Sequence, residues 1–193
     1  MEPAGVLKRE ASDVIEDIKA PENMFVEPNH ELLTTKLPTF DFSEPAIDPV
    51  ELAHILVREM NSKNGYGLSA NQIGLPYRAF AMRGSPNLVC INPRIVWSSD
   101  ETNEMEEGCL SFPNLIFKAR RKNAIRVRFA TPNGQVITRD FNGLTSRIFQ
   151  HEMDHMEGRL PFAGIGRLKL DRALKDAEKR GSYYRPYGVM KHA

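Results

Sequence analysis

The sequence predicts an α+β fold: antiparallel β-sheets packed around one central helix, with a further helix near the C-terminal end. Three observations lead there. Short β-forming runs separated by turn residues fill the middle of the chain. A single late helical stretch follows them, where a parallel sheet would need helices alternating with strands. That stretch runs into Gln150–Gly158, which contains His151-Glu152-x-x-His155.

At 193 residues the chain fits one domain with room for a core. We expect an N-terminal extension and loops over 1–46, a core over 47–165, and a helix and tail over 166–193. Residues 1–20 carry a weak helical stripe through Val6, Leu7, Ala11, Val14, Ile15 and Ile18, ending near Pro21. Prolines crowd residues 21–46, which predicts extended or loop backbone. Asp48-Pro49-Val50-Glu51 then reads as an N-cap, a proline at the first helical position and an acid at the third. Leu52, Ile55, Leu56 and Met60 continue it at helical spacing as far as Asn64-Gly65.

The next stretch, Gly65-Tyr66-Gly67-Leu68-Ser69-Ala70-Asn71-Gln72, combines glycines and small residues with an amide, as suits a backbone passing close to something. Strands are expected at Tyr77–Met82, Leu88–Ile91 and Arg94–Trp97. Ile125–Phe129 alternates apolar with basic residues, as a half-buried strand does. Pro132-Asn133-Gly134 turns the chain into a returning strand over Gln135–Phe141. The central helix is expected over Gly143–His155, and an amphipathic helix over Arg167–Arg180 with Leu168, Leu170 and Leu174 as its apolar edge. Residues 181–193 read as a loose tail whose tyrosines have the means to dock.

Composition excludes several classes of function. Basic and acidic residues balance at 26 against 25, so no global field points to nucleic acid or a membrane surface. No apolar run reaches bilayer-spanning length. The first twenty residues are too acidic for a transit peptide and have no apolar stretch for a secretory signal. Two cysteines, Cys90 and Cys109, make no disulfide framework. A soluble, cytoplasmic, monomeric protein with no membrane partner is the expectation.

The chemistry rests on the HExxH stretch. Residues four apart on a helix share a face, so His151 and His155 can close on one divalent ion. The Glu152 carboxylate can then reach a water held by that ion, whose pKa falls towards about 7. HExxH also occurs by chance. Here Leu144 and Ile148 lie on the same face as the two histidines, with Phe141 nearby, and a ligand pair continuing an apolar stripe implies a buried metal face. A third ligand is required. Downstream, Glu178 is the one later candidate. Upstream, Glu106-Glu107-Gly108-Cys109-Leu110-Ser111-Phe112-Pro113 sets a cysteine beside a glycine, between acids and a proline. Cys90, inside Leu88–Ile91, reads as a small buried hydrophobe; Cys109 does not.

GYGLSANQ, EGCLSFP and QHEMDHMEG, in that order, resemble the three motifs of the peptide deformylases, and LVCINPRI is similar to the strand between the first two. The resemblance covers roughly residues 47–165. It implies a hydrolase that removes the formyl group from N-formylmethionyl nascent peptides and releases formate. It further implies Cys109, His151 and His155 as metal ligands and Glu152 as proton carrier. The Gln72 side chain and the Leu110 backbone N–H would form an oxyanion hole, and Gly67 and Gly108 would leave room for substrate backbone or ligand geometry. Tyr66, Met105, Glu107, Leu144 and Ile148 are the expected walls of a methionine pocket. Thiolate plus two imidazoles suits iron, zinc, nickel or cobalt, and the resemblance implies ferrous iron, with the others able to substitute. Two departures stand out: Ser69-Ala70 replaces a double alanine, and Ile116 stands where many members carry a peptide-binding arginine. The basic helix Arg167–Arg180 is a candidate contact to the ribosome. Two rival readings are an endopeptidase using HExxH with Glu178 or a ligand not yet identified, and a binding module with a structural metal.

Overall fold

The computed structural model describes residues 24–182 and 184; the expected N-terminal helical stripe lies outside them. Helix α1, Pro49–Ser62, starts as its sequence dictates. The Asp48 carboxylate accepts from the N–H groups of Val50 at 2.7 Å and Glu51 at 3.0 Å, and Pro49 occupies the first turn. Seven strands follow: β1 Gly67–Ser69, β2 Ala79–Met82, β3 Leu88–Ser98, β4 Thr102–Cys109, β5 Phe112–Lys122, β6 Ala124–Ala130 and β7 Val136–Asn142. Helix α2, Gly143–Met156, carries the histidines, and α3 spans Arg167–Lys179. The α+β architecture is therefore as expected.

A five-stranded antiparallel sheet runs in the order β1-β2-β3-β6-β7, and β4 and β5 form a separate two-stranded sheet. The alternation of β2 shows how the larger sheet is covered. Ala79 and Ala81 face α1 through Leu52, Leu56 and Met60. Phe80 and Met82 face α2 through Phe149, Met153 and Met156, together with Cys90, Val127 and Phe129. Phe80 meets Phe149 edge-on, with centroids 5.0 Å apart; burying such a ring contributes about 1.5–3 kcal/mol. Cys90 is the buried small hydrophobe its surroundings predict.

Three elements differ from expectation. The stretch Thr102–Lys122 is a β-hairpin, which the charged run Glu104–Glu107 conceals. Strand β3 is continuous, accommodating Asn92-Pro93 through a bulge with Asn92 at φ 53°. On α3 the buried edge is Leu170, Ala173 and Ala177, packed on Leu115, Phe117 and Ala119, while Leu168 projects into solvent. Residues 24–46 are mostly irregular, as expected, with a short 3-10 turn at Glu31–Leu33. They nonetheless send Leu33, Leu37 and Phe40 into three different core clusters.

The end of α2 explains the glycine of its motif. Gly158 adopts φ 66°, and Arg159 N–H bonds the Asp154 carbonyl at 2.8 Å while Gly158 N–H bonds that of His155 at 3.2 Å. This is a Schellman cap. A side chain at Gly158 would stand 2.7 Å from the backbone of Thr34 and Lys36, so the glycine lets residues 34–36 close against the helix end.

Candidate metal centre

Helix α2 and the β4–β5 hairpin meet over the site. Between Phe112 and Phe117, β5 bulges, with Asn114 in the left-handed region at φ 66°. Cys109 thereby ends β4 facing inwards, and its Sγ lies 3.3 Å from His155 Nε2. The ligand atoms of Cys109, His151 and His155 all lie within 4.8 Å of one another, and all three residues are buried. A tetrahedral cation with bonds of about 2.1 Å to nitrogen and 2.3 Å to sulfur needs donors about 3.4–3.6 Å apart. The triad fits. Glu178, the alternative third ligand, is exposed on α3 and lies outside this group.

A charge network holds His151 in place. Its Nδ1 lies 3.0 Å from Glu107 Oε2, leaving Nε2 to face the other donors. Glu107 also receives Arg121 Nε and Nη2, each at 2.9 Å, and Arg147 Nη1 at 2.5 Å. Arg121 continues to Asp154 at 2.5 Å, and Arg147 to the Ala119 carbonyl at 2.9 Å and to Asn103. Burial would raise the Glu107 carboxyl, but Arg121 and His151 together bring it down to about 2. Burial would lower His151, yet bonds to Cys109 and Glu107 raise it to about 10. Burial pushes His155 well below the usual imidazole range. A metal needs neutral imidazoles, so a cation at this triad competes with the proton on His151.

Glu152 is buried beside the triad, and burial pushes its carboxyl up. Ser69 Oγ donates to its Oε2 at 2.6 Å. Gln72, in a short 3-10 turn at Ala70–Ile73, accepts from Ser69 N–H at 2.9 Å. That fixes the other end of its amide, whose Nε2 reaches Ser111 Oγ at 3.0 Å and Cys109 Sγ at 3.5 Å.

Gln72, Cys109, His151 and Glu152 border a cavity of about 750 Å³, which Tyr66, Gly67, Gly108, Leu110, Leu144 and Ile148 also line. Met105 does not: it lies further back along β4, 44% exposed, and its place in the expected wall is corrected. Glu107 lines the cavity, but its carboxylate is committed to His151 and two arginines. Sequence reasoning missed Arg121, Arg147 and Asp154. The available signals were the i, i+4 relation of Arg147 to His151 and the i, i+2 relation of Glu107 to Cys109 on one strand face.

Fold and site together define an α+β protein with a candidate metal centre of the HExxH hydrolase class. The chain belongs to the polypeptide deformylase family, whose model matches residues 23–170. Among curated relatives, it is 38% identical to the peptide deformylase of Bartonella tribocorum over 138 residues, 67% of this chain and 78% of that one. It is 37% identical to that of Thermotoga neapolitana over 128 residues, 64% and 78% of the two chains. The fold is similar to a Synechococcus elongatus peptide deformylase solved with actinonin, at TM-score 0.76 and 26% identity, covering 88% of this chain and 95% of that one. For a Legionella pneumophila peptide deformylase the values are 0.72 and 28%, covering 81% and 94%. The family match begins at residue 23, before the expected start near 47, in keeping with the core anchors Leu33, Leu37 and Phe40.

Proposed function

We propose that this enzyme removes the formyl group from N-formylmethionyl nascent peptides and releases formate. The observation that carries the reading is the gathering of Cys109, His151 and His155 at one point, with Cys109, His151 and Glu152 opening onto one cavity. Cys109, His151 and His155 would hold one divalent ion, ferrous iron in our reading, with zinc, nickel or cobalt as substitutes on ligand type. Bound there, the ion supplies Lewis acidity and makes water a better nucleophile near neutral pH. Glu152 accepts the proton that water loses as its oxygen bonds to the formyl carbon, and hands one to the amine nitrogen as the C–N bond breaks. The Ser69 hydroxyl fixes that carboxylate. The Gln72 amide and the Leu110 backbone N–H donate to the formyl oxygen as charge gathers on it.

Tyr66, Leu144 and Ile148 wall the pocket for the methionine side chain, and Gly67 and Gly108 admit the substrate backbone. Among the described residues, no helix is long and apolar enough to cross a membrane. We read the enzyme as a cytoplasmic monomer whose single domain spans the core and α3. The exposed basic side of α3, with Lys175 and Lys179, would face ribosomal phosphates as the nascent chain emerges.

The test is anaerobic formate release from formyl-Met-Ala-Ser by protein loaded with iron, zinc or nickel, beside the unformylated peptide. Formate from the formylated peptide alone supports the reading; cleavage of internal peptide bonds, or no product with any metal, sinks it. Gly67→Ala is a sharper probe of the same geometry. A Cβ there would lie 2.3 Å from Glu152 Oε1, so the carboxylate must move. Misplacing a reacting group by about 1 Å costs on the order of a hundredfold. We expect kcat to fall by about that much, with metal content by atomic absorption unchanged.

A further inference from the structure

The cavity at the triad is not the end of the concave surface. Ile116, on β5, lines it and also lines a second groove of about 370 Å³ between β5 and α3. A side chain at Gly108 would lie 3.3 Å from Ile116 Cδ1, which places Ile116 just beyond the residue that precedes Cys109. Leu168, 85% exposed, lines the groove with it. One exposed leucine alone means little; here it lies beside a second exposed apolar residue in a groove next to the reaction cavity.

The rim of this groove is positive. Lys118, Lys169 and Arg172 line it against Asp176. Lys169 lies 3.6 Å from Glu104, and Asp176 is bound at 2.9 Å by Lys179. Among the described residues, Lys118 and Arg172 form no ion pair within 4 Å. Glu106 is the cross-strand neighbour of Lys118 but borders the first cavity. Apolar walls carrying spare cations suit an extended peptide with an acidic side chain.

We propose that this groove is a distal substrate subsite that takes an acidic residue of the nascent chain, beyond the third residue from its formylated end. The proposal rests on the deformylase reading above. An extended peptide advances about 3.3 Å per residue. On the proposed path a formylated tripeptide ends in the first cavity, and a longer chain passes Ile116, which lines both cavities, to reach Lys118 and Arg172.

The experiment compares kcat/KM for formyl-Met-Ala-Ser, formyl-Met-Ala-Ser-Ala-Glu-Leu and formyl-Met-Ala-Ser-Ala-Lys-Leu, using the full chain loaded with metal at low salt. The glutamate hexapeptide should exceed both others by about fivefold, the scale of one or two partly exposed charge pairs, and the gain should lie in KM. Lys118→Glu combined with Arg172→Glu should reverse the order of the hexapeptides while the tripeptide value stays within about twofold. Arg172→Gln, which only removes an exposed charge, should halve the preference or more if the double variant does not fold. Equal values for the two hexapeptides, or a preference untouched by both variants, overturn the subsite. Failure of the wild-type enzyme on the tripeptide would instead remove the deformylase reading, and the subsite with it.

Discussion

Replacing Glu152 with glutamine is expected to lower kcat for formate release by about a thousandfold while the protein still binds its metal. General acid–base catalysis by one placed side chain is typically worth about 10²–10⁴ in rate, and here a single carboxylate serves both the water and the leaving amine. Glutamine preserves the shape and can still accept from Ser69 Oγ, which lies 2.6 Å from Glu152 Oε2. It cannot carry a proton. The substitution also removes a charge from a buried position at the cavity wall, and burial is already what raises this carboxyl. The melting temperature should therefore not fall. Stopped assays with metal quantified in the same preparations decide the matter. A kcat within about tenfold of wild type would mean that another group moves the proton.

How much of this was legible in the sequence follows from where each pattern comes from. Helix α1 was readable because Asp48 and Pro49 act locally and Leu52, Leu56 and Met60 repeat with the helical period. The HExxH helix was readable for the same reason, and Cys109 because a thiol beside a glycine, between acids and a proline, is poorly explained as packing. The hairpin that carries Cys109 was hidden. Strand β4 meets its interior with Glu107 as well as with Cys109, and its partner β5 bulges at Asn114, so alternation is broken on both strands. Residues 24–46 hold to the core through isolated anchors such as Leu33 and Phe40, which leave no period to detect. Arg121 and Arg147 were missed for a different reason. Each bonds Glu107 from another part of the chain, at separations of 14 and 40 residues, so the pairing itself leaves no local pattern beyond the spacing of Arg147 to His151 and of Glu107 to Cys109.

That pairing leads to the second large effect, in Glu107→Ala. Among the described residues, Glu107 is the one group that touches His151, Arg121 and Arg147 together. Its removal leaves Arg121 with Asp154 as its remaining acidic partner and the buried Arg147 with none among the described residues. Breaking a buried ion pair from one side costs about 3–5 kcal/mol. The carboxyl's descent from 4.5 to about 2 gives a comparable figure, roughly 3 kcal/mol. Its pKa is depressed in the folded protein, so this contribution is fully present above about pH 4.5 and is lost as pH falls towards about 2. Denaturant unfolding at pH 7 should show the full loss, and the gap between wild type and variant should close on acidification. The second consequence is at the metal. Without an acceptor at Nδ1 the His151 ring loses its fixed orientation, and partners of this kind are worth about 10–100-fold in affinity. Competition with a chelator should report that weakening. Glu107→Gln, which keeps an acceptor near Nδ1, should recover part of the affinity but little of the stability. If the alanine variant unfolds like wild type and holds its metal as tightly, the carboxylate neither supports the ligand nor neutralises the arginines, and the centre is organised by Cys109 and the helix alone.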